Sequence, residues 1–187
     1  GYRTTGKSSV SELLAKNFER KISHMDSDIS KKIGNINEYV NKNGWGSFRK
    51  AETVVLEKIS EENDLVVDCG GGIIETEENI KIMRETGIVI WLQASINTIK
   101  KRLEKDSKNR RPSLTGKSIT DEIEEVIQKR LLLYKKAADY VIDTENKTIK
   151  EIAHEISVLL KSKTKICISV TANSLDSALS DIKEAEK

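Results

Sequence analysis

The chain opens on Gly1-Tyr-Arg-Thr-Thr-Gly6-Lys7-Ser8, a match to GxxxxGK[ST], and no other feature narrows the accessible folds as far. In such a loop the glycines let successive backbone N–H groups wrap phosphate oxygens. The helix that follows turns the positive end of its dipole toward them. Lys7 is placed to neutralise the β- and γ-phosphates of a nucleotide and Ser8 to ligate Mg²⁺. The next residues fit a helix, because Val10, Leu13, Leu14 and Phe18 fall along one face. A loop of this kind follows a buried strand, so a strand upstream of Gly1 is expected.

Periodicity beyond the loop alternates short β-rich runs with longer helical patterns. Strands are expected over 21–25, 65–69, 88–92, 140–142 and 165–170, and helices over 7–19, 36–43, 45–60, 77–85, 97–105, 119–137 and 148–160. That alternation favours parallel strands joined by crossover helices, an α/β layered domain. A polar connection near 162, followed by a new strand and a helix over 175–184, marks a domain boundary.

Composition excludes several functions. Lys and Arg (32) nearly cancel Asp and Glu (30), leaving no bulk charge to recruit nucleic acid or an acidic membrane. No apolar run approaches the ~18 residues that span a bilayer. Cys69 and Cys167 form no CxxC pair and read as reduced thiols of a cytoplasmic protein.

Four further features carry chemistry. Asp26-Ser27-Asp28 follows a strand. If the extended conformation persists, both carboxylates point to one side, one holding Mg²⁺ and the other taking a proton from an acceptor hydroxyl; a helix cap is the alternative. Arg49 and Glu52 fall inside the apolar stripe of helix 45–60, and Arg130 falls inside that of helix 119–137. Buried charge demands a partner, so these arginines read either as receptors for an anionic group such as a carboxylate or as structural ion pairs. Gly70, Gly71 and Gly72 end a strand, where open α/β sheets bind ligands and absent side chains allow close approach. The stretch 105–117, basic and bearing the only proline, Pro112, reads as a lid that brings Arg110 or Arg111 over phosphates. His154 lies off the apolar stripe of its helix and is expected on a solvated face.

In their joint order, GxxxxGKS, the Asp26/Asp28 pair, Phe48-Arg49-x-x-Glu52, the glycine triplet, Arg111-Pro112 and Arg130-x-x-x-Tyr134 resemble shikimate kinase over roughly residues 1–160. The Gly44-Trp-Gly-Ser-Phe-Arg49 and Cys69-Gly-Gly-Gly phrases are most similar to the kinase section of the fungal arom polypeptide. The resemblance implies a P-loop, nucleoside-monophosphate-kinase-like three-layer α/β domain with a parallel sheet whose first strand is missing here. It implies ATP-dependent phosphorylation of the 3-hydroxyl of shikimate. Gly1, Thr5, Gly6, Lys7, Ser8 and Ser9 would hold ATP, with Arg102 flanking adenine, and Ser8 and Asp26 would hold Mg²⁺. Asp28 would bind shikimate hydroxyls and assist deprotonation. Arg49, Arg130 and the backbone of Gly70, Gly71 and Gly72 would fix the carboxylate and ring. Arg111 would act on the transferring phosphate, so that Lys7, Asp28 and Arg111 form the catalytic set. Leu132 stands where the family usually has proline, and the lid is about two residues longer than usual. Residues 163–187, with Lys165-Ile-Cys-Ile-Ser-Val-Thr-Ala172, resemble the first β/α unit of the (β/α)8 barrel of type I 3-dehydroquinate dehydratase. The expectation is a kinase domain over 1–162 covalently fused to further shikimate-pathway domains. Another small-molecule P-loop kinase, of gluconate or nucleotide type, is the rival; a silent fragment or a chain named for the dehydratase is a second.

Overall fold

The computed structural model describes residues 1–105 and 119–161, with the side chains of 119–122 set aside. The expected lid with Arg110, Arg111 and Pro112, and the expected second domain with Cys167, lie outside the described residues.

The first half runs α1 (Lys7–Asn17), β1 (Lys21–His24), α2 (Met25–Ile33), α3 (Ile36–Ile59) and β2 (Leu65–Asp68). After a 3-10 turn (Ile73–Glu75) come α4 (Glu77–Thr86), β3 (Ile90–Gln93), α5 (Ile96–Lys105), α6 (Ile119–Ala137), β4 (Tyr140–Asp143) and α7 (Ile149–Lys161). β1 pairs with β2 in parallel, Lys21 opposite Leu65 and His24 opposite Asp68. β3 pairs with β4 in parallel, Ile90 opposite Tyr140. The expected alternation of strands and helices therefore holds, with parallel pairing throughout.

Helices cover both faces of these strands, because strand side chains alternate. Val66, Leu92 and Ile142 pack with Val10 and Leu14 of α1 and Ile152, Ile156 and Leu160 of α7. Val67 and Trp91, one residue out of step, pack on the opposite side with Leu56 of α3, Met83 of α4 and Tyr134 of α6. These are the three layers expected. β2 and β3 do not pair with each other. Between them lies an apolar groove walled by Val66, Val67, Trp91, Leu92, Leu14 and Ile156, with Gly1 and Lys7 at one end. None of the helices among the described residues is long and apolar enough to cross a membrane.

Two local expectations change. The chain does not stay extended after His24. Met25 and Ile29, four apart and both fully buried, draw 25–33 into α2, with Asp26 and Asp28 in the favourable first turn. The cap alternative is not realised either: the helix starts at Met25, its N-cap is His24, and neither acid caps it. The expected helices 36–43 and 45–60 run on as α3, broken at Gly44 (φ 76°, ψ 165°). Asn35 caps α3 by accepting from the amides of Asn37 (2.9 Å) and Glu38 (3.2 Å).

Candidate active site

The phosphate loop is shaped by backbone that few residues tolerate. Thr4 and Gly6 lie at φ 61° and 89°, and Gly6 delivers the chain into α1. Val10 is the first residue to bond back to the carbonyl of Gly6 (2.9 Å). The first-turn amides, Ser8 and Ser9 among them, therefore have no carbonyl four residues back within the helix and face the loop. The loop is also braced from inside. The Thr5 hydroxyl, 1 % exposed, donates to the Tyr2 carbonyl at 2.8 Å, and Lys7 Nζ donates to the same oxygen at 2.9 Å. Arg102 reaches it from α5, donating to the carbonyls of Thr4 (3.3 Å) and Thr144 (2.9 Å). The expected nucleotide residues are thus brought together.

The loop also presents hard oxygen donors. Ser8 Oγ donates to Asp68 Oδ2 at 2.6 Å, and His24 Nδ1 stands 3.2 Å from the same oxygen. A hydroxyl and a carboxylate beside a phosphate cradle fit Mg²⁺, which takes one or two protein oxygens and keeps phosphate and water for the rest. Asp68 was not among the residues expected from sequence. Its signal was available, as an acid closing the apolar strand Leu65-Val-Val-Asp68.

Asp26 and Asp28 part company in the structure, contrary to the shared side expected of an extended pair. Two residues apart on a helix they face different ways. Asp26 lines the cavity that holds Arg49 and Arg130, with Oδ1 about where a Cβ on Gly70 would press (3.1 Å). Asp28 is outside that wall and accepts from Ser23 Oγ and Lys31 Nζ, both at 2.7 Å. Partial burial pushes its carboxyl up, but the bonds from Lys31 and Ser23 outweigh this and hold it below its ordinary range.

The two core-face arginines converge as expected. Arg49 Nη1 donates to Glu52 Oε2 at 2.8 Å, Nη2 meets Glu75 Oε2 at 2.7 Å, and the guanidinium lies over Trp45 and Phe48 at 5.5 and 5.4 Å. Arg130, 5 % exposed, donates from Nε to Glu75 Oε1 at 2.8 Å. Both sequence alternatives are therefore present: the arginines are ion-paired, and they line a cavity. Glu75 too was missed, because nothing in its local pattern marks a residue on a short turn as a charge partner. Burial drives Glu52 up to about 7, against the pull of Arg49.

The glycine triplet is required by contact, since none of the three has positive φ. A Cβ on Gly72 would fall 2.1 Å from Arg49 Nη2, and one on Gly71 would fall 2.8 Å from the Gly1 carbonyl oxygen. The Gly71 carbonyl accepts from the Tyr134 hydroxyl at 2.6 Å, and that ring stacks on Trp91 at 5.3 Å.

Comparison with known proteins places this geometry. The shikimate kinase family matches residues 3–161. The chain is 39% identical to shikimate kinase 2 of Enterobacter sp. (strain 638) over 161 residues, covering 85% of this chain and 92% of that one. It is 36% identical to shikimate kinase 2 of Salmonella heidelberg (strain SL476), covering 88% and 91%. Among solved structures it is similar to shikimate kinase from Acinetobacter baumannii in complex with shikimate (TM-score 0.80, 29% identity, covering 88% and 92%). It is likewise similar to the Bacteroides thetaiotaomicron enzyme (TM-score 0.78, 25% identity, covering 86% and 95%).

Proposed function

The chain belongs to the shikimate kinase family, and from that premise we infer that it moves the γ-phosphate of ATP onto a hydroxyl of shikimate, between the loop at Gly1–Ser8 and the cavity of Arg49 and Arg130. It is a kinase, and ATP and Mg²⁺ are its cofactors. One observation carries the reading of the site. A single stretch of backbone, Gly70 to Gly72, lies against the phosphate loop on one side and against Arg49 on the other. Donor and acceptor sites thus share one wall without side chains, which brings the two substrates within reach of each other.

Phosphoryl transfer asks for positioning and charge neutralisation more than for covalent chemistry. Lys7 supplies positive charge to the β- and γ-phosphates, and the first-turn amides of α1 hold the others. Mg²⁺ supplies further neutralisation of the phosphate oxygens when bound, with Ser8 and Asp68 as the residues that would hold it, directly or through water. Arg49 and Arg130 take the shikimate carboxylate by charge-assisted hydrogen bonds. Asp26, the carboxylate that lines the cavity with Arg49 and Arg130, receives the proton of the attacking hydroxyl, whereas Asp28, expected in that role from sequence, bonds to Ser23 and Lys31 outside the cavity wall. Arg111 acts from the lid, on the strength of its sequence position alone.

Two finer readings belong with this one. A parallel strand upstream of Gly1 fits the groove between β2 and β3, whose facing edges have no strand partner among the described residues. Gly1 supports this, because it sits between Leu92 at the end of β3 and Gly71 just after β2. Residues 163–187 open a dehydratase-like unit of a fused, cytoplasmic shikimate-pathway polypeptide, which rests on their sequence.

The test is a coupled ADP-release assay with MgATP and shikimate. Asp26→Asn is expected to lower shikimate-dependent turnover by about 10²–10⁴-fold, with Asp28→Asn much nearer the wild type. Shikimate-independent ADP release of equal size in the wild type and Asp26→Asn would overturn the acceptor assignment.

A further inference from the structure

We propose that Glu75 is a positioning residue for the substrate carboxylate, tying Arg49 and Arg130 to one geometry from outside the cavity so that both guanidiniums meet the carboxylate together. The inference rests on the reading above, that these arginines receive the carboxylate of shikimate. Arg49 arrives on α3 and Arg130 on α6, and nothing within either helix sets the distance between them. Glu75 bonds to both, one carboxylate oxygen to each, at 2.7 and 2.8 Å. A planar carboxylate shared in this way sets the separation and the tilt of the two forks. Both arginines line the cavity and Glu75 does not. Each five-donor guanidinium keeps further donors for a second anion.

The backbone makes the same case. Gly72 lets the main chain lie directly against Arg49 Nη2. The 3-10 turn then begins at once, with the Glu75 amide donating to the Gly72 carbonyl at 3.0 Å. Ile73 and Ile74, each 3 % exposed, pin that turn in the core. The glycine wall and the carboxylate are one continuous piece, so the arginines are referenced to the wall that also touches the phosphate loop. Charge agrees as well. Arg49 also holds Glu52, so Glu75 is the carboxylate that answers Arg130 and joins it to Arg49. Without Glu75, two cations of low exposure would repel at close range.

The experiment is calorimetric titration of shikimate, and of its neutral carboxamide, onto the full chain as wild type, Glu75→Gln and Arg130→Lys. MgATP affinity, Tm and steady-state kinetics are measured beside it. Glu75→Gln is expected to weaken shikimate about tenfold, with the carboxamide and MgATP unchanged. In turnover KM rises while kcat holds, since the lost interaction serves ground and transition states alike. Unchanged or tighter shikimate binding in Glu75→Gln would make Glu75 a bystander or a competitor for the arginines and overturn the proposal. An equal loss for shikimate and carboxamide would make its role merely structural and overturn it too. Should the glutamine variant melt below the assay temperature, Glu75→Asp serves instead, keeping the charge on a shorter arm, with the same selective loss expected. Arg130→Lys separates the two levels. If shikimate keeps its full advantage over the carboxamide there, the arginine reading itself fails. If that advantage disappears there while Glu75→Gln changes nothing, only the role of Glu75 fails.

Discussion

Gly72 and Glu52 show how single positions set the chemistry of the acceptor side. At Gly72 the backbone (φ −97°) is open to any residue, so only the 2.1 Å approach of a Cβ to Arg49 Nη2 excludes a side chain. Gly72→Ala is therefore expected to displace the guanidinium and raise the KM for shikimate by about tenfold or more, with MgATP binding unaltered; parallel titrations of the two ligands check it. Glu52 is 1 % exposed and its carboxyl is raised from 4.5 to about 7 by burial. The folded state then holds a proton that the unfolded chain has released, so stability falls as pH rises from about 4.5 to about 7 and levels off above. The loss is of the order of 3 kcal/mol. Urea melts at pH 5 and pH 8 should show it in the wild type and a much flatter profile in Glu52→Gln. Both residues were legible in part: the triplet as a site of close approach, the glutamate as a charge on a core face. What approaches the triplet, and what partners the glutamate, required the fold.

At the scale of elements, α3 offers a clean contrast between two glycines. Gly44 lies at φ 76° and ψ 165°, a region costly to any side chain, while a Cβ there would meet nothing within 4 Å. Gly44→Ala should destabilise by about 1–3 kcal/mol through backbone strain alone. Gly46, helical and equally open, should instead gain about 0.4–1 kcal/mol as alanine. Chemical denaturation of the two variants decides it. The break also aims the second half of α3, and with it Trp45, Phe48, Arg49 and Glu52, at the cavity. That break was readable, since the expected helices stopped at 43 and resumed at 45. α2 was not, because the Asp26-Ser-Asp28 pattern suits an extended pair or a helix start equally, and only burial of Met25 and Ile29 decided between them.

Over the whole molecule, two parallel strand pairs are held at a fixed spacing by helices on both faces, with an apolar groove between them. A buried Val or Leu side chain contributes about 1.5–3 kcal/mol, so even two supplied by a central strand would matter against a total of 5–15 kcal/mol. A chain extended upstream of Gly1 by an apolar strand is expected to melt higher and to turn over shikimate faster than residues 1–187. Equal melting and equal turnover would count against the strand.

The sequence by itself determined the phosphate loop, the order of strands and helices, the helical faces of the core and the arginines set within it. Each of these depends on residues close together in the chain, where spacing alone decides which side a group lies on. Only the tertiary structure decided which carboxylates answer those charges. Glu75 joins Arg49 to Arg130 across 26 and 55 residues of chain, and Asp68 meets Ser8 across 60. Such partners are chosen by the packing of α3, α6 and β2 around the strands, which local periodicity does not encode.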